Sequence, residues 1–176
     1  MNNRTNIFKK TALASVITIL AACGSSGSGS NNNSASSATS HVFAATNGTD
    51  GTELFISNGT ATGTKMLKDI NLNADSNPEQ FIKLGGDTFF VADDDIHGEE
   101  LWKTDGTEDG TVLLKDIEIG MGDSSPREIT LYKGKLYFVA FNTGTRNELF
   151  VSDGTEDGTG IFVELIAGGA LDGQIS

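Results

Sequence analysis

The stretch Glu100-Leu101-Trp102-Lys103-Thr104-Asp105-Gly106-Thr107-Glu108-Asp109-Gly110-Thr111-Val112-Leu113-Leu114-Lys115-Asp116-Ile117 decides how this chain folds. It recurs upstream from Glu53-Leu54-Phe55-Ile56-Ser57-Asn58-Gly59-Thr60 to Ile70. It recurs downstream from Glu148-Leu149-Phe150-Val151-Ser152-Asp153-Gly154-Thr155 to Leu165. The copies start at 53, 100 and 148, so the period is 47 and then 48 residues. Self-similarity at such a period marks a repeat architecture, in which each unit buries its flanks against its neighbours.

Around each copy the chain reads as short strands and turns. In the middle repeat the strand-like runs are 80–84, 88–92, 100–104 and 111–117. Gly85-Gly86 is a two-residue hairpin signal, and Gly134 in Lys133-Gly134-Lys135 sits at the matching place. No window keeps a 3.6-residue apolar period, so no helix is expected. One repeat is therefore four antiparallel strands, a to d. Phe89-Phe90-Val91-Ala92 matches Tyr137-Phe138-Val139-Ala140, and Val42-Phe43-Ala44-Ala45 matches both. The described order is then b-c-d, followed by a-b-c-d twice, with Gln174-Ile175-Ser176 placed where another strand a is due. Strand b is apolar on successive residues, and strand c sets Leu101 on one side and Trp102 on the other. Both faces of such a sheet are expected to be covered, as in a propeller blade between neighbours. The expected fold is all-β: tandem four-stranded antiparallel meander repeats forming β-propeller-like blades, about 2.75 of them, an incomplete ring. The segments are a partial blade at 41–70, blades at 71–117 and 118–166, and the truncated start of a next repeat at 167–176.

Of the 12 Lys and Arg, three (Arg4, Lys9, Lys10) precede Cys23, and no acidic residue does. Removal of that segment would leave 9 basic against 24 acidic residues, a net charge of −15. This excludes a basic face for nucleic acid or anionic lipid. The apolar run 11–22 is shorter than the roughly 20 residues that span a bilayer, and after a basic start it reads as a secretory signal over 1–22. Cys23 is the sole cysteine, so no intrachain disulfide can form. Leu20-Ala21-Ala22-Cys23 resembles the lipobox of bacterial lipoproteins. The resemblance implies lipidation at Cys23, an outer-membrane or cell-surface location in a bacterial envelope, and membrane contact through acyl chains, each worth about 0.8 kcal/mol per buried CH₂. Residues 23–40 are then the lipidated cysteine and a Gly/Ser/Asn tether, with a coil reach of roughly 20–25 Å.

The Glu-Leu-Trp-x-x-Asp-Gly-Thr core resembles the ELWxxDGT repeat of bacterial surface and secreted proteins, sometimes labelled hyalin-like. The similarity covers about residues 41–166. Phe55 and Phe150 stand for Trp, Asn58 for Asp, and Glu164-Leu165 for the Lys-Asp-Ile of the other copies. The resemblance implies a propeller-like fold and membership of longer arrays, and carries almost nothing about activity.

The repeated residues read first as scaffold. Asp and Asn accept backbone hydrogen bonds two residues on, and Gly takes positive φ freely. Asp105, Asp109, Asp153 and Asp157 are therefore turn residues, with calcium as the alternative; the first copy, 58–64, has no carboxylate. Phe55, Trp102 and Phe150 are core wedges by position. Glu53, Glu100 and Glu148 occupy equivalent environments, which argues against divided acid/base roles. Asp93, Asp94, Asp95 and His97 do not repeat, and they form the one loop that concentrates acids beside a histidine, a composition that could hold a metal, with a solvated turn as the ordinary reading. No nucleophilic triad or phosphate loop is present. The expectation is a non-enzymatic, lipid-anchored surface protein that binds a protein or glycan or mediates adhesion. It needs no cofactor, binds no nucleic acid, and can close its ring with a second copy. A calcium- or carbohydrate-binding propeller module is the alternative.

Overall fold

The computed structural model describes residues 39–163. The leader, Cys23, the tether as far as residue 38, Glu164-Leu165 and Gln174-Ile175-Ser176 lie outside the described residues. Among the described residues there are eleven strands and no helix. The first sheet is β1 (His41–Thr46), β2 (Thr52–Ser57) and β3 (Lys65–Lys68), in that spatial order. The second is β4 (Glu79–Leu84), β5 (Asp87–Asp93), β6 (Glu99–Thr104) and β7 (Val112–Lys115). The third is β8 (Arg127–Tyr132), β9 (Lys135–Asn142), β10 (Arg146–Ser152) and β11 (Gly160–Val163). Every pairing is antiparallel between strands adjacent in sequence.

The sheets repeat even in their irregularities. The pairing of the last two strands of each sheet slips after a repeated leucine, between Leu54 and Phe55, Leu101 and Trp102, and Leu149 and Phe150. The first strands of the second and third sheets bulge between Glu79 and Ile82 and between Arg127 and Thr130. Gln80 (φ 54°) and Glu128 (φ 57°) take the left-handed conformation inside those bulges. The hairpins close where the turn residues predict, with Leu84 opposite Asp87 and Tyr132 opposite Lys135. Strand d is shorter than the apolar run implies. The Thr111 N–H turns back to the Glu108 carbonyl and the Ile117 N–H leaves the sheet for Glu100, so only Val112–Lys115 remain in the ladder.

Successive residues of the middle sheet serve two cores. Phe90, Ala92 and Trp102 pack with Leu54, Leu67 and Ile70 of the first sheet and the segment after it. Phe89, Leu101, Leu114 and Ile117 pack with Leu136, Phe138, Ala140 and Phe150 of the third. Alternation on a pleated strand sends odd and even positions to opposite faces, and here both faces meet another sheet. Each fully buried Leu or Phe stabilises the fold by about 1.5–3 kcal/mol relative to exposure.

Candidate functional site

The turn before the last strand of each sheet is built from one hydrogen-bond pattern. In the middle copy the Asp105 carboxylate accepts from Thr107 N (2.8 Å) and Thr107 Oγ1 (2.6 Å). Thr107 Oγ1 accepts from Gly110 N (3.0 Å), and Thr111 Oγ1 donates to the Thr107 carbonyl (2.7 Å). Thr104 Oγ1 caps Gly106 N and meets Thr111 Oγ1 at 2.7 Å. Asn58 holds Thr60 N and Oγ1 in the same way at 3.1 and 2.7 Å, and Asp153 holds Thr155 at 2.9 and 2.7 Å. An amide oxygen thus substitutes for a carboxylate without changing the turn. The Thr107 hydroxyl and N–H bonds hold Asp105 below the usual carboxylate range, and the Thr155 bonds do the same for Asp153.

Two glycines in each turn have separate reasons. Gly106 (φ 93°) is left-handed, whereas a Cβ on Gly110 would stand 2.1 Å from Asp105 Oδ1. The middle positions, Ala61-Thr62, Glu108-Asp109 and Glu156-Asp157, are exposed. Asp109 and Asp157 therefore share the turn with Asp105 and Asp153 but take no part in its hydrogen-bond pattern.

The repeated glutamates are wholly buried: Glu53, Glu100 and Glu148 are each 0% exposed. Glu53 accepts from Ile70 N (2.8 Å), Ser76 N (2.9 Å) and Ser76 Oγ (2.5 Å). Glu100 accepts from Ile117 N (3.2 Å), Glu118 N (3.0 Å) and Ser124 Oγ (2.5 Å). A buried carboxylate is costly unless its lone pairs are filled, and these are filled by the segment leading into the next sheet. Burial nonetheless pushes the Glu100 carboxyl up to about 7, with Asp116 adding to the rise against the hydrogen bonds.

The serine partners were not singled out from the sequence. Asp75-Ser76-Asn77-Pro78 and Asp123-Ser124-Ser125-Pro126 recur at the repeat spacing, and the chain has no other proline, which is the signal that identifies them. Asp75 accepts from Thr52 N (2.6 Å) and Asp123 from Glu99 N (2.9 Å), so each linker is stitched back to the sheet it leaves.

Lysines join neighbouring sheets. Lys68 Nζ donates to the Thr111 carbonyl (2.8 Å), and Lys115 Nζ to the Thr159 carbonyl (2.8 Å). Lys103 Nζ donates to the Gly154 carbonyl (3.2 Å).

Loop 93–97 is unique in composition, but it folds as the same turn that residues 46–50 make in the first sheet, where Thr46 accepts from Gly48 N and Asn47 from Thr49 N and Asp50 N. Asp93 accepts from Asp95 N (2.7 Å). Asp94 accepts from Ile96 N (3.0 Å) and His97 N (2.7 Å), and it pairs with His97 Nδ1 at 2.7 Å. Burial raises the Asp94 carboxyl, but the His97 ring and the two backbone donors outweigh it and hold it low. The Asp94 hydrogen bond in turn raises His97. The structure therefore brings Asp94 and His97 together and leaves Asp95 exposed.

A cleft of about 340 Å³ beside the first sheet is lined by Asp50, Asp69 and Asp75, a grouping that sequence spacing did not indicate. Asp50 is engaged by Asn47 Nδ2 (2.6 Å) and Asp75 by Thr52. Among the described residues, no group of three or more His, Cys, Asp or Glu side chains is arranged to hold a metal ion.

The repeated aromatics divide by neighbour. Trp102 is buried against the first sheet, and Phe150 stacks on Phe138 with centroids 5.6 Å apart. Phe55 lies half-buried beside Phe43, at 6.2 Å, on the outer face of the first sheet.

Comparison of the chain with protein-family models, with curated proteins and with solved structures gave no match.

Proposed function

We propose that the chain is a non-catalytic, lipid-anchored surface protein whose sheets are consecutive propeller-like blades and whose loop tips bind a protein or glycan partner. The observation that carries this reading is that the repeated carboxylates serve the scaffold, as the Glu53 and Glu100 networks and the Asn58, Asp105 and Asp153 turns do. A catalytic pair is set in complementary surroundings, whereas Glu53 and Glu100 each accept from an isoleucine N–H and a linker serine hydroxyl. The blade arrangement is supported by β4 and β8, the first strands of their sheets, lying against each other, with Gln80 Nε2 donating to the Pro126 carbonyl (2.9 Å). Propellers converge on such first strands around a central axis. The lipid anchor rests on Leu20-Ala21-Ala22-Cys23, and tandem arrays of this kind extend readily by further copies.

Detergent-phase partition of the chain from membranes tests the anchor: wild type enters the detergent phase, and Cys23→Ser moves to the aqueous phase. Retention of the serine variant in detergent overturns it. Melting curves with and without millimolar calcium test the competing cation reading. A site filled at 100 times its Kd adds about 2.7 kcal/mol; no shift is expected here, and a shift of that size would replace the scaffold reading with calcium binding.

A further inference from the structure

The two uncovered sheet faces at the ends of the described stack are complementary halves of an interface that the chain already makes twice. At each internal junction, the face carrying Leu54 or Leu101 meets the face carrying Phe90 and Trp102 or Phe138 and Phe150. The third sheet presents the first kind of face outward. Tyr137, Leu149 and Phe162 stand where Phe89, Leu101 and Leu114 stand in the middle sheet. Phe162 is 54% exposed where Leu114 is 3% exposed. Tyr137 meets Phe162 edge-on at 5.4 Å and Tyr132 at 6.2 Å, so the face is aromatic but offers no coplanar platform for a sugar ring.

The first sheet presents the second kind of face. Phe43 and Phe55 match Phe90 and Trp102, and Met66 lies opposite Phe55 on the same side. Among the described residues, no strand pairs with the free edge of β1. The lysine that crosses both internal junctions is absent from the third sheet, where Val163, 44% exposed, holds the position of Lys68 and Lys115.

We propose that the third sheet of one copy docks on the first sheet of a second copy, Tyr137, Leu149 and Phe162 against Phe43, Phe55 and Met66. The occupant is a second copy because, among the described residues, the surface shaped for either face is the other one, and both internal junctions show the fit. Such head-to-tail contact is heterologous. It ends in a ring if the rotation closes, and in a filament if it does not. Two copies bring six sheets, within the range of closed propellers. The inference rests on the stacked-sheet reading above.

Sedimentation of the full chain in density-matched non-ionic detergent tests it. Wild type associates at micromolar concentration, the weak end of what standard-size interfaces reach. Phe55→Glu blocks one face and Phe162→Glu the other, so each variant alone is monomeric. An equimolar mixture forms a dimer and nothing larger, because one good face of each kind remains. Met66→Glu replaces Phe55→Glu if that variant unfolds. Val163→Lys restores the missing lysine and tightens association about two- to fivefold, the effect of one exposed charge contact. A monomeric wild type, a single variant that still self-associates, or a mixture that stays monomeric overturns the proposal; a monomer would mean that the face is covered by the chain's own residues or left bare. The emission of Trp102, the only tryptophan, separates the two levels of the argument. Blue emission from a monomer leaves the internal stacking intact and removes only the docking, whereas red emission removes the stacking itself.

Discussion

The second and third sheets have the same strand order, the same turn and the same slipped pairing, yet equivalent residues meet opposite surroundings. Leu101 is fully buried and Leu149 half-buried; Lys115 reaches across to the Thr159 carbonyl and Val163 faces outward. Burial of a repeat residue is thus set by the neighbouring sheet more than by its own. Stability should behave as a chain of junction energies, each belonging to a pair of sheets.

The largest way to break this comparison is to empty equivalent positions. Leu114→Ala should cost about 2–4 kcal/mol through lost transfer energy and a residual cavity. Phe162→Ala should cost under about 1 kcal/mol in the monomer, because little of that ring is withdrawn from water. Urea unfolding of the two variants measures the gap, and equal losses would show that the third sheet is covered in solution.

A second prediction uses the buried carboxyl of the middle sheet. The Glu100 value of about 7 lies above its ordinary 4.5, so the folded chain holds this proton more tightly than the unfolded chain. The corresponding stability is complete below about pH 4.5 and is lost as pH rises through about 7, at no more than about 1.4 kcal/mol per pH unit. The raised His97 acts in the same direction, being lost as pH climbs past its folded value. Melting temperature should therefore fall between pH 5 and 8. Glu100→Gln should flatten the part due to this carboxyl, and an unchanged slope in that variant would assign the effect elsewhere.

The smallest effect separates charge from hydrogen bonding in the turns. Asp105→Asn should leave the melting temperature nearly unchanged, since Asn58 already fills the same place. Asp105→Ala should lower the melting temperature more than the asparagine variant does, because the turn loses the acceptor for the Thr107 N–H and hydroxyl. Thermal unfolding of the pair decides it, and a large loss in the asparagine variant would mean that the negative charge itself matters.

Strand order was legible because three imperfect copies define one another: Phe89 to Ala92 against Tyr137 to Ala140 sets the register before any fold is considered. The turn was legible for a related reason, since Asn58 in place of Asp separates what the side chain accepts from what it carries. The linkers were not. Ser76 and Ser124 look like ordinary polar loop residues, and their role depends on a fully buried glutamate 23 and 24 residues earlier. The bulges were equally hidden, because Gln80 and Glu128 adopt a left-handed backbone that neither side chain favours. The loop 93–97 was noticed for its composition, but composition says nothing of which acceptors already have donors. Asp94 has three.

The turn that joins the last two strands of each sheet leaves two letters unassigned. Ala61-Thr62 in one copy and acidic pairs in the other two stand at the same tip. A lineage can therefore rewrite the charge and shape of this rim one codon at a time while the interior keeps its spelling, so the rim and the fold are free to evolve at different speeds.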